Sequence, residues 1–89
     1  MLKGKKALIT GSSRGIGKAI VEVYLKNGCE VWGLCSKPSA NKDALEALAK
    51  ENGVAFHEIY ADVGNAEQVT EVVKAALAEA GGFDVLVNN

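Results

Sequence analysis

The sequence predicts an α/β fold in which the strands of one parallel β-sheet alternate with helices. Four short apolar runs alternate with three longer segments whose apolar residues recur at helical spacing. Glycine or proline separates most of these segments, as expected at the boundaries between elements. Strands that alternate with helices form right-handed βαβ units, and the strands of such units are parallel. The 89 residues correspond to one domain at most.

Two strands and one helix are predicted in the first part of the chain. The first strand covers 7–10. The first helix covers 15–27 and ends at Gly28, because glycine is the residue type that best adopts a left-handed helix cap. The second strand covers 30–36, and Pro38 in the following turn prevents its continuation. The apolar face of the first helix is predicted to consist of Ile16, Ala19, Ile20, Val23 and Tyr24.

Two further helix–strand pairs complete the predicted order. The second helix covers 40–52, and the third strand covers 54–61. The third helix begins at Asn65, an N-cap with Gln68 three residues on, and it ends at a glycine pair before the fourth strand at 83–87. The apolar faces are predicted at Leu45, Leu48 and Ala49 in the second helix and at Val69, Val72, Val73, Ala76 and Leu77 in the third.

Composition and charge argue against several classes of function. Hydrophobic residues make up 48% of the chain and charged residues 24%, as in ordinary globular domains. The net charge is −1 and the basic residues are scattered, so we expect no nucleic-acid partner. No apolar run approaches the ~20 residues that span a bilayer, and no signal peptide is recognisable, so we expect no membrane partner. Cys29 and Cys35 lie at opposite ends of one predicted strand, about 20 Å apart and beyond disulfide reach. They indicate reduced thiols in a cytoplasmic protein, and nothing near them has the spacing of metal ligands.

The most informative segment is 6–17, where an apolar strand meets a glycine loop that opens directly into a helix. The first N–H groups of a helix and the positive end of its dipole attract an anion. Glycines in the loop permit positive φ and close approach of a pyrophosphate, and Gly17 permits the helix to pack closely on the strand. A plain turn is the alternative for any glycine-rich loop, but the position between a strand and a helix favours the anion site.

Three motifs in order and in register resemble the short-chain dehydrogenase/reductase superfamily. They are Thr10-Gly11-Ser12-Ser13-Arg14-Gly15-Ile16-Gly17, then Asp62-Val63, then Leu86-Val87-Asn88-Asn89. The sequence of the glycine loop is most similar to that of the bacterial β-ketoacyl-acyl-carrier-protein reductases of fatty-acid synthesis. The resemblance implies a partial doubly wound (Rossmann) sheet with strand order 3-2-1-4 and helices on both faces. Residues 1–89 would then be an incomplete dinucleotide-binding domain, the N-terminal half of a reductase.

The resemblance also implies a role for each motif. Asp62 would accept a hydrogen bond from the adenine amino group, and the Val63 N–H would meet a ring nitrogen. A turn former at the end of a strand is the alternative for Asp62. Asn89 would lie against the cofactor ribose, and Asn88 would tie neighbouring strands together. The loop residues that would wrap the pyrophosphate and the adenosine ribose are Gly11, Ser12, Ser13, Arg14, Gly15 and Ile16, with Gly17 in the first turn of the helix.

The end of the second strand favours NADP over NAD as the cofactor. Members that prefer NAD place an acid there to bind the ribose hydroxyls. Here residues 34–37 contain no Asp or Glu, whereas Arg14 and Lys37 provide positive charge and Ser36 can donate a hydrogen bond. A solvated turn charge is the alternative for Lys37. We expect the binding to be weak in a chain of this length.

The catalytic Ser and the Tyr-x-x-x-Lys of the family have no counterpart in residues 1–89. Neither Tyr24 nor Tyr60 has a Lys four residues on. Reduction of a ketone needs a proton donor at the developing alkoxide, so we expect this chain alone to be inactive. The parent function implied is NADPH-dependent reduction of a carbonyl such as a β-ketoacyl thioester. The alternative is a non-catalytic nucleotide-binding or self-assembling module.

Two further expectations concern the edges of the predicted sheet. His57 is interpreted as a polar residue of an edge strand rather than a catalytic group, and Trp32 as a core residue rather than a stacking platform. The fourth strand would be an apolar open edge. We therefore expect a homo-oligomer buried at that edge and at the first and third helices.

Overall fold

The computed structural model describes residues 2–89. All four strands are parallel and lie in the order β3-β2-β1-β4, which confirms the predicted topology. The elements in chain order are β1 (Lys6–Thr10), α1 (Gly15–Lys26), β2 (Glu30–Cys35), α2 (Lys42–Glu51), β3 (Phe56–Tyr60), α3 (Ala66–Ala80) and β4 (Val85–Val87).

Helices cover both faces of the sheet, as predicted. On one face α1 and α2 bury Val21, Leu25 and Leu45 against alternate residues of the strands. On the other face α3 packs the small residues Ala76 and Ala80 against the sheet. Side chains of successive strand residues point to opposite faces, so the central strands β1 and β2 are apolar at almost every position.

Several elements are shorter than predicted. The second helix begins at Lys42 rather than at residue 40, and the third strand covers only Phe56–Tyr60. The fourth strand begins at Val85. Just before it, Asp84 forms two hydrogen bonds with the Lys6 backbone: the Asp84 N–H donates to the Lys6 carbonyl at 2.8 Å, and the Asp84 carboxylate accepts from the Lys6 N–H at 2.9 Å.

The predicted apolar faces of α1 and α3 are partly wrong. Ile16 and Val23 are 72% and 54% exposed, and Leu77 of α3 is 46% exposed. The buried residues of α1 are instead Gly17, Val21 and Leu25. The rotation of α1 about its axis follows from Gly17, which lies directly against the Gly11 carbonyl and turns the helix face that contains it towards the sheet.

Trp32 lies in the core and His57 on an edge strand, as predicted. Trp32 is 2% exposed, and the edge-strand residue His57 stacks on it with ring centroids 4.3 Å apart. His57 Nε2 lies 2.7 Å from Glu30 Oε2, so the ring is held within the fold. Cys29 and Cys35 are both buried free thiols, and burial raises the pKa of Cys29 to about 11. Over residues 2–89, no helix has both the length and the apolar character needed to cross a bilayer.

Candidate functional site

The glycine loop between β1 and α1 has the backbone geometry that the sequence predicts. Gly11 and Gly15 have φ values of 63° and 60°, in the left-handed region that favours glycine. The Gly11 N–H donates to the Leu34 carbonyl at 2.9 Å, so β2 holds the start of the loop. A Cβ added to Gly15 would have no atom within 4 Å, so the loop is open above that residue. The loop is therefore a tight turn whose outer surface is open at Gly15.

The amino end of α1 lies directly on this loop. A Cβ at Gly17 would fall 1.8 Å from the Gly11 carbonyl oxygen, so only glycine permits this packing. No side chain caps α1, and its first turn contains no acid, whereas Asn65 caps α3 and Glu67 lies in the first turn of α3. The free N–H groups and the positive dipole end of α1 are thus directed at the loop without a protein carboxylate to neutralise them.

The side chains of the loop divide between the interior and the surface. Ser12 is fully buried, and its Oγ has no hydrogen-bond partner within the described part of the chain. Ser13 is half-buried, whereas Arg14 and Ile16 are exposed. Gly33 of β2 makes room for Ser12, since a Cβ there would lie 2.5 Å from the Ser12 Oγ. Sequence reasoning missed this pairing, because nothing local marks Gly33 as different from other strand glycines.

The end of β4 contacts the same loop. The Asn89 N–H donates to Thr10 Oγ1 at 2.9 Å, and the Asn89 Nδ2 donates to the Gly11 carbonyl at 3.4 Å. Thr10 Oγ1 in turn donates to Asn88 Oδ1 at 3.1 Å. These contacts join β1 to β4, as expected for Asn88, and place Asn89 beside the glycine loop.

Asp62 and Val63 lie in the turn after β3, at the same carboxyl edge of the sheet. Asp62 Oδ1 accepts from the Gly64 N–H at 2.9 Å, so the carboxylate does form a turn, as the alternative interpretation proposed. The Asp62 side chain nevertheless remains exposed, and Val63 is 71% exposed. Asn65 Oδ1 accepts from the Gln68 N–H at 3.1 Å, which confirms the predicted N-cap. The Gln68 side chain accepts instead from the Asp62 N–H, a contact that was not predicted.

The end of β2 places Ser36 and Lys37 at the surface of this edge. Both are exposed, and the Cys35 Sγ–H donates to the Lys37 carbonyl at 3.3 Å. The Asn41 Nδ2 donates to the Ser13 carbonyl at 2.8 Å, which ties the segment before α2 to the glycine loop. Sequence reasoning missed Asn41, because the contact joins residues 28 positions apart.

The structure thus brings the glycine loop, Asn41 and Asn89 into direct contact, with residues 36–37 and 62–63 at the ends of the next two strands. Within the described residues, no three His, Cys, Asp or Glu side chains are grouped so that they could hold a metal ion. These features define a class of protein, the Rossmann-type α/β domain whose first strand leads through a glycine loop into a helix.

Comparisons with known proteins identify the family. A family model for the short chain dehydrogenases matches residues 5–89. The chain belongs to the short chain dehydrogenase family. A relative, the 3-oxoacyl-acyl-carrier-protein reductase FabG of Vibrio cholerae, is 42% identical over 89 residues, which cover 99% of this chain and 34% of that enzyme.

Two solved structures match closely. The L-sorbose reductase of Gluconobacter frateurii, complexed with NADPH and L-sorbose, has a TM-score of 0.82 at 37% identity and is covered over 34% of its length by 99% of this chain. The NADH-dependent reductase A1-R′, complexed with NAD, has a TM-score of 0.88 at 33% identity, with 99% and 36% covered. The chain therefore spans about a third of the length of these proteins.

Proposed function

We propose that the protein binds NADP(H) at the carboxyl edge of its sheet and forms the dinucleotide-binding part of an NADPH-dependent carbonyl reductase. The observation that supports this most strongly is the uncapped amino end of α1 behind an open glycine loop. A loop with this geometry accepts a pyrophosphate through backbone N–H groups. Arg14, at the N-cap position, adds a cation at the same place.

The residues at this edge fit the parts of a dinucleotide. The pyrophosphate and the adenosine ribose would lie on the backbone of the glycine loop, from Gly11 to Ile16. Since Ser12 is buried, any contact from it would come from its main chain. The exposed Asp62 and Val63 would hold the adenine, and Asn89 would lie against the ribose. When bound, the nicotinamide supplies the hydride for reduction of a carbonyl.

The preference for NADP rests on charge at the end of β2. No carboxylate is present at residues 34–37 to accept from the ribose hydroxyls, whereas exposed Ser36 and Lys37 and the cation of Arg14 suit a phosphate. Relatives do not decide the question, because one matched structure holds NAD and another NADPH. The residues of this chain support NADP.

A β-ketoacyl thioester is the substrate class that we propose for the parent reaction. The support is 42% identity to an acyl-carrier-protein reductase, although a sugar reductase is 37% identical to the chain. For a polypeptide of residues 1–89 we expect binding without turnover, because neither tyrosine is followed by a Lys four residues on. The buried free thiols Cys29 and Cys35 support a reducing compartment, the cytoplasm.

Calorimetric titration with NADP⁺ and with NAD⁺ tests the cofactor preference. We expect NADP⁺ to bind about tenfold more tightly, since one charge-assisted contact to a phosphate is worth about 1.5–3 kcal/mol. Arg14→Ala should remove most of this difference and leave NAD⁺ binding nearly unchanged. Lys18→Ala is the matched control: it removes one positive charge from the next turn of α1, where Lys18 pairs with Glu22 at 3.5 Å. Equal or tighter binding of NAD⁺ by the unmodified chain would contradict the proposal.

A further inference from the structure

The Glu58 carboxylate lies beneath the loop that joins β2 to α2 and accepts three hydrogen bonds. The Ser39 N–H donates to it at 3.0 Å and the Ser39 Oγ at 2.6 Å, while the Tyr60 hydroxyl donates at 2.8 Å. Burial opposes ionisation, but these hydrogen bonds and the charge of Lys42 outweigh it, so the pKa of Glu58 lies below its usual value. Glu58 is thus a charged acceptor for both the backbone N–H and the side-chain hydroxyl of Ser39.

The loop is held by hydrogen bonds on both sides of its exposed residue Pro38. Before Pro38, the Cys35 thiol donates to the Lys37 carbonyl at 3.3 Å. After it, Glu58 holds Ser39, and Asn41 donates to the Ser13 carbonyl of the glycine loop at 2.8 Å. Ser36 and Lys37 therefore project from a short segment whose backbone has little freedom.

We propose that Glu58 is a positioning residue for cofactor selectivity: by holding Ser39 it fixes Ser36 and Lys37 where they meet the phosphate on the adenosine ribose. This inference rests on the proposed NADP binding. A loop that is already ordered loses less conformational entropy when it binds a ligand, so its contacts contribute more to affinity. Without Glu58, Ser36 and Lys37 remain present but must be ordered by the phosphate itself.

A direct effect of the Glu58 charge would have the opposite sign. A carboxylate that acted mainly by repulsion would weaken binding of a phosphate, and its removal would strengthen that binding. The two influences can therefore be separated by the direction in which a neutral substitution changes selectivity.

The experiment uses two probes of the adenosine half of the cofactor, adenosine 2′,5′-bisphosphate and adenosine 5′-monophosphate. Isothermal titration gives the selectivity ratio, which is the Kd of the monophosphate divided by the Kd of the bisphosphate. We expect Glu58→Gln to lower this ratio about threefold, because the phosphate must then order Ser36 and Lys37 itself while Arg14 keeps its contact. Affinity for the monophosphate should change by less than about twofold, whereas a general loss of structure would weaken the binding of both probes.

Two further variants keep the test decisive. Ser39→Ala removes only the hydroxyl contact with Glu58, from a half-buried loop position, and should lower the ratio about twofold. Tyr60→Phe is the matched control, because it removes a hydrogen bond to the same carboxylate without touching the loop, and should leave the ratio unchanged.

The outcomes separate this inference from the proposed function. If the unmodified chain binds both probes equally, the NADP preference is wrong, and the positioning role of Glu58 is overturned as well. If the unmodified chain discriminates but Glu58→Gln and Ser39→Ala keep its ratio, only the positioning role is overturned. A higher ratio in Glu58→Gln would overturn it as well, since repulsion would then be the main effect of the charge.

Discussion

Gly17→Ala should displace the amino end of α1 from the glycine loop. A Cβ at this position lies 1.8 Å from the Gly11 carbonyl oxygen, whereas real Cβ contacts essentially never fall below 3.0 Å, so the backbone must separate by at least 1.2 Å. Ala is favoured over Gly in a helix by about 0.5–1 kcal/mol. Forcing atoms into a packed site costs about 1–3 kcal/mol, and the cost here lies at the upper end because the clash is with backbone, so we expect a net loss near 2 kcal/mol. The melting temperature should fall by about 8–16 °C in a domain of this size.

The assay combines thermal unfolding with nucleotide binding below the transition. Gly17→Ala should weaken binding of adenosine 2′,5′-bisphosphate by more than about tenfold, because the N–H groups of α1 move away from the loop. Gly53→Ala is the control. An Ala at the Gly53 φ of 73° is strained, but its Cβ would have no atom within 4 Å, and Gly53 is far from the glycine loop in the fold. That variant should lose stability and keep its binding. A Gly17→Ala protein that melts at the unmodified temperature and binds normally would refute the close-packing account.

Three further predictions concern other residues. Asp62→Ala should weaken binding of adenosine 5′-monophosphate about fivefold in a calorimetric titration, as expected for one lost hydrogen bond, and unchanged affinity would exclude Asp62 from the adenine site. Because the pKa of Glu58 is lower in the folded chain than its ordinary value of 4.5, its contribution to stability is present above that value and is lost as the pH falls through the folded-state pKa. Urea unfolding at several pH values should therefore show that the free energy of unfolding falls less steeply towards acid pH in Glu58→Gln than in the unmodified chain. Equal slopes for the two proteins would contradict this. Leu86 is 68% exposed on the edge strand β4, so a polypeptide of residues 1–89 should associate at ~100 µM, and Leu86→Lys should shift it towards monomer in light scattering. A monomeric unmodified chain would count against that interface.

Features with a local cause were predictable from the sequence. The alternation of strands and helices, the glycine loop and the Asn65 cap follow from periodicity, from turn residues and from motifs whose parts are close in the chain, whereas the strand order was implied only by the resemblance to a known family. The positive φ of Gly11 and Gly15 belongs to the same group, because a tight turn between a strand and a helix favours glycine in the left-handed region.

Features set by contacts between distant segments were not predictable. Which face of α1 is buried depends on how closely Gly17 approaches Gly11, and this left Ile16 exposed against expectation. The contact of Glu58 with Ser39 joins residues 19 positions apart, across a loop and a helix. No periodicity or motif marks such a pair, since each residue alone is ordinary for its own element.

The most direct test of the central claim is an amide chemical-shift titration of the chain with NADP⁺. We expect the largest shifts in the glycine loop 11–17, at Val63 and at Asn89, all at the carboxyl edge of the sheet. A cavity of about 500 Å³ lies at the opposite edge, lined by Gly28, Gly53, Lys3 and Lys26 among others, and it is next to the carboxyl ends of α1 and α2 rather than a helix amino end. Shifts concentrated around Gly28 and Gly53, with the glycine loop unchanged, would contradict the account.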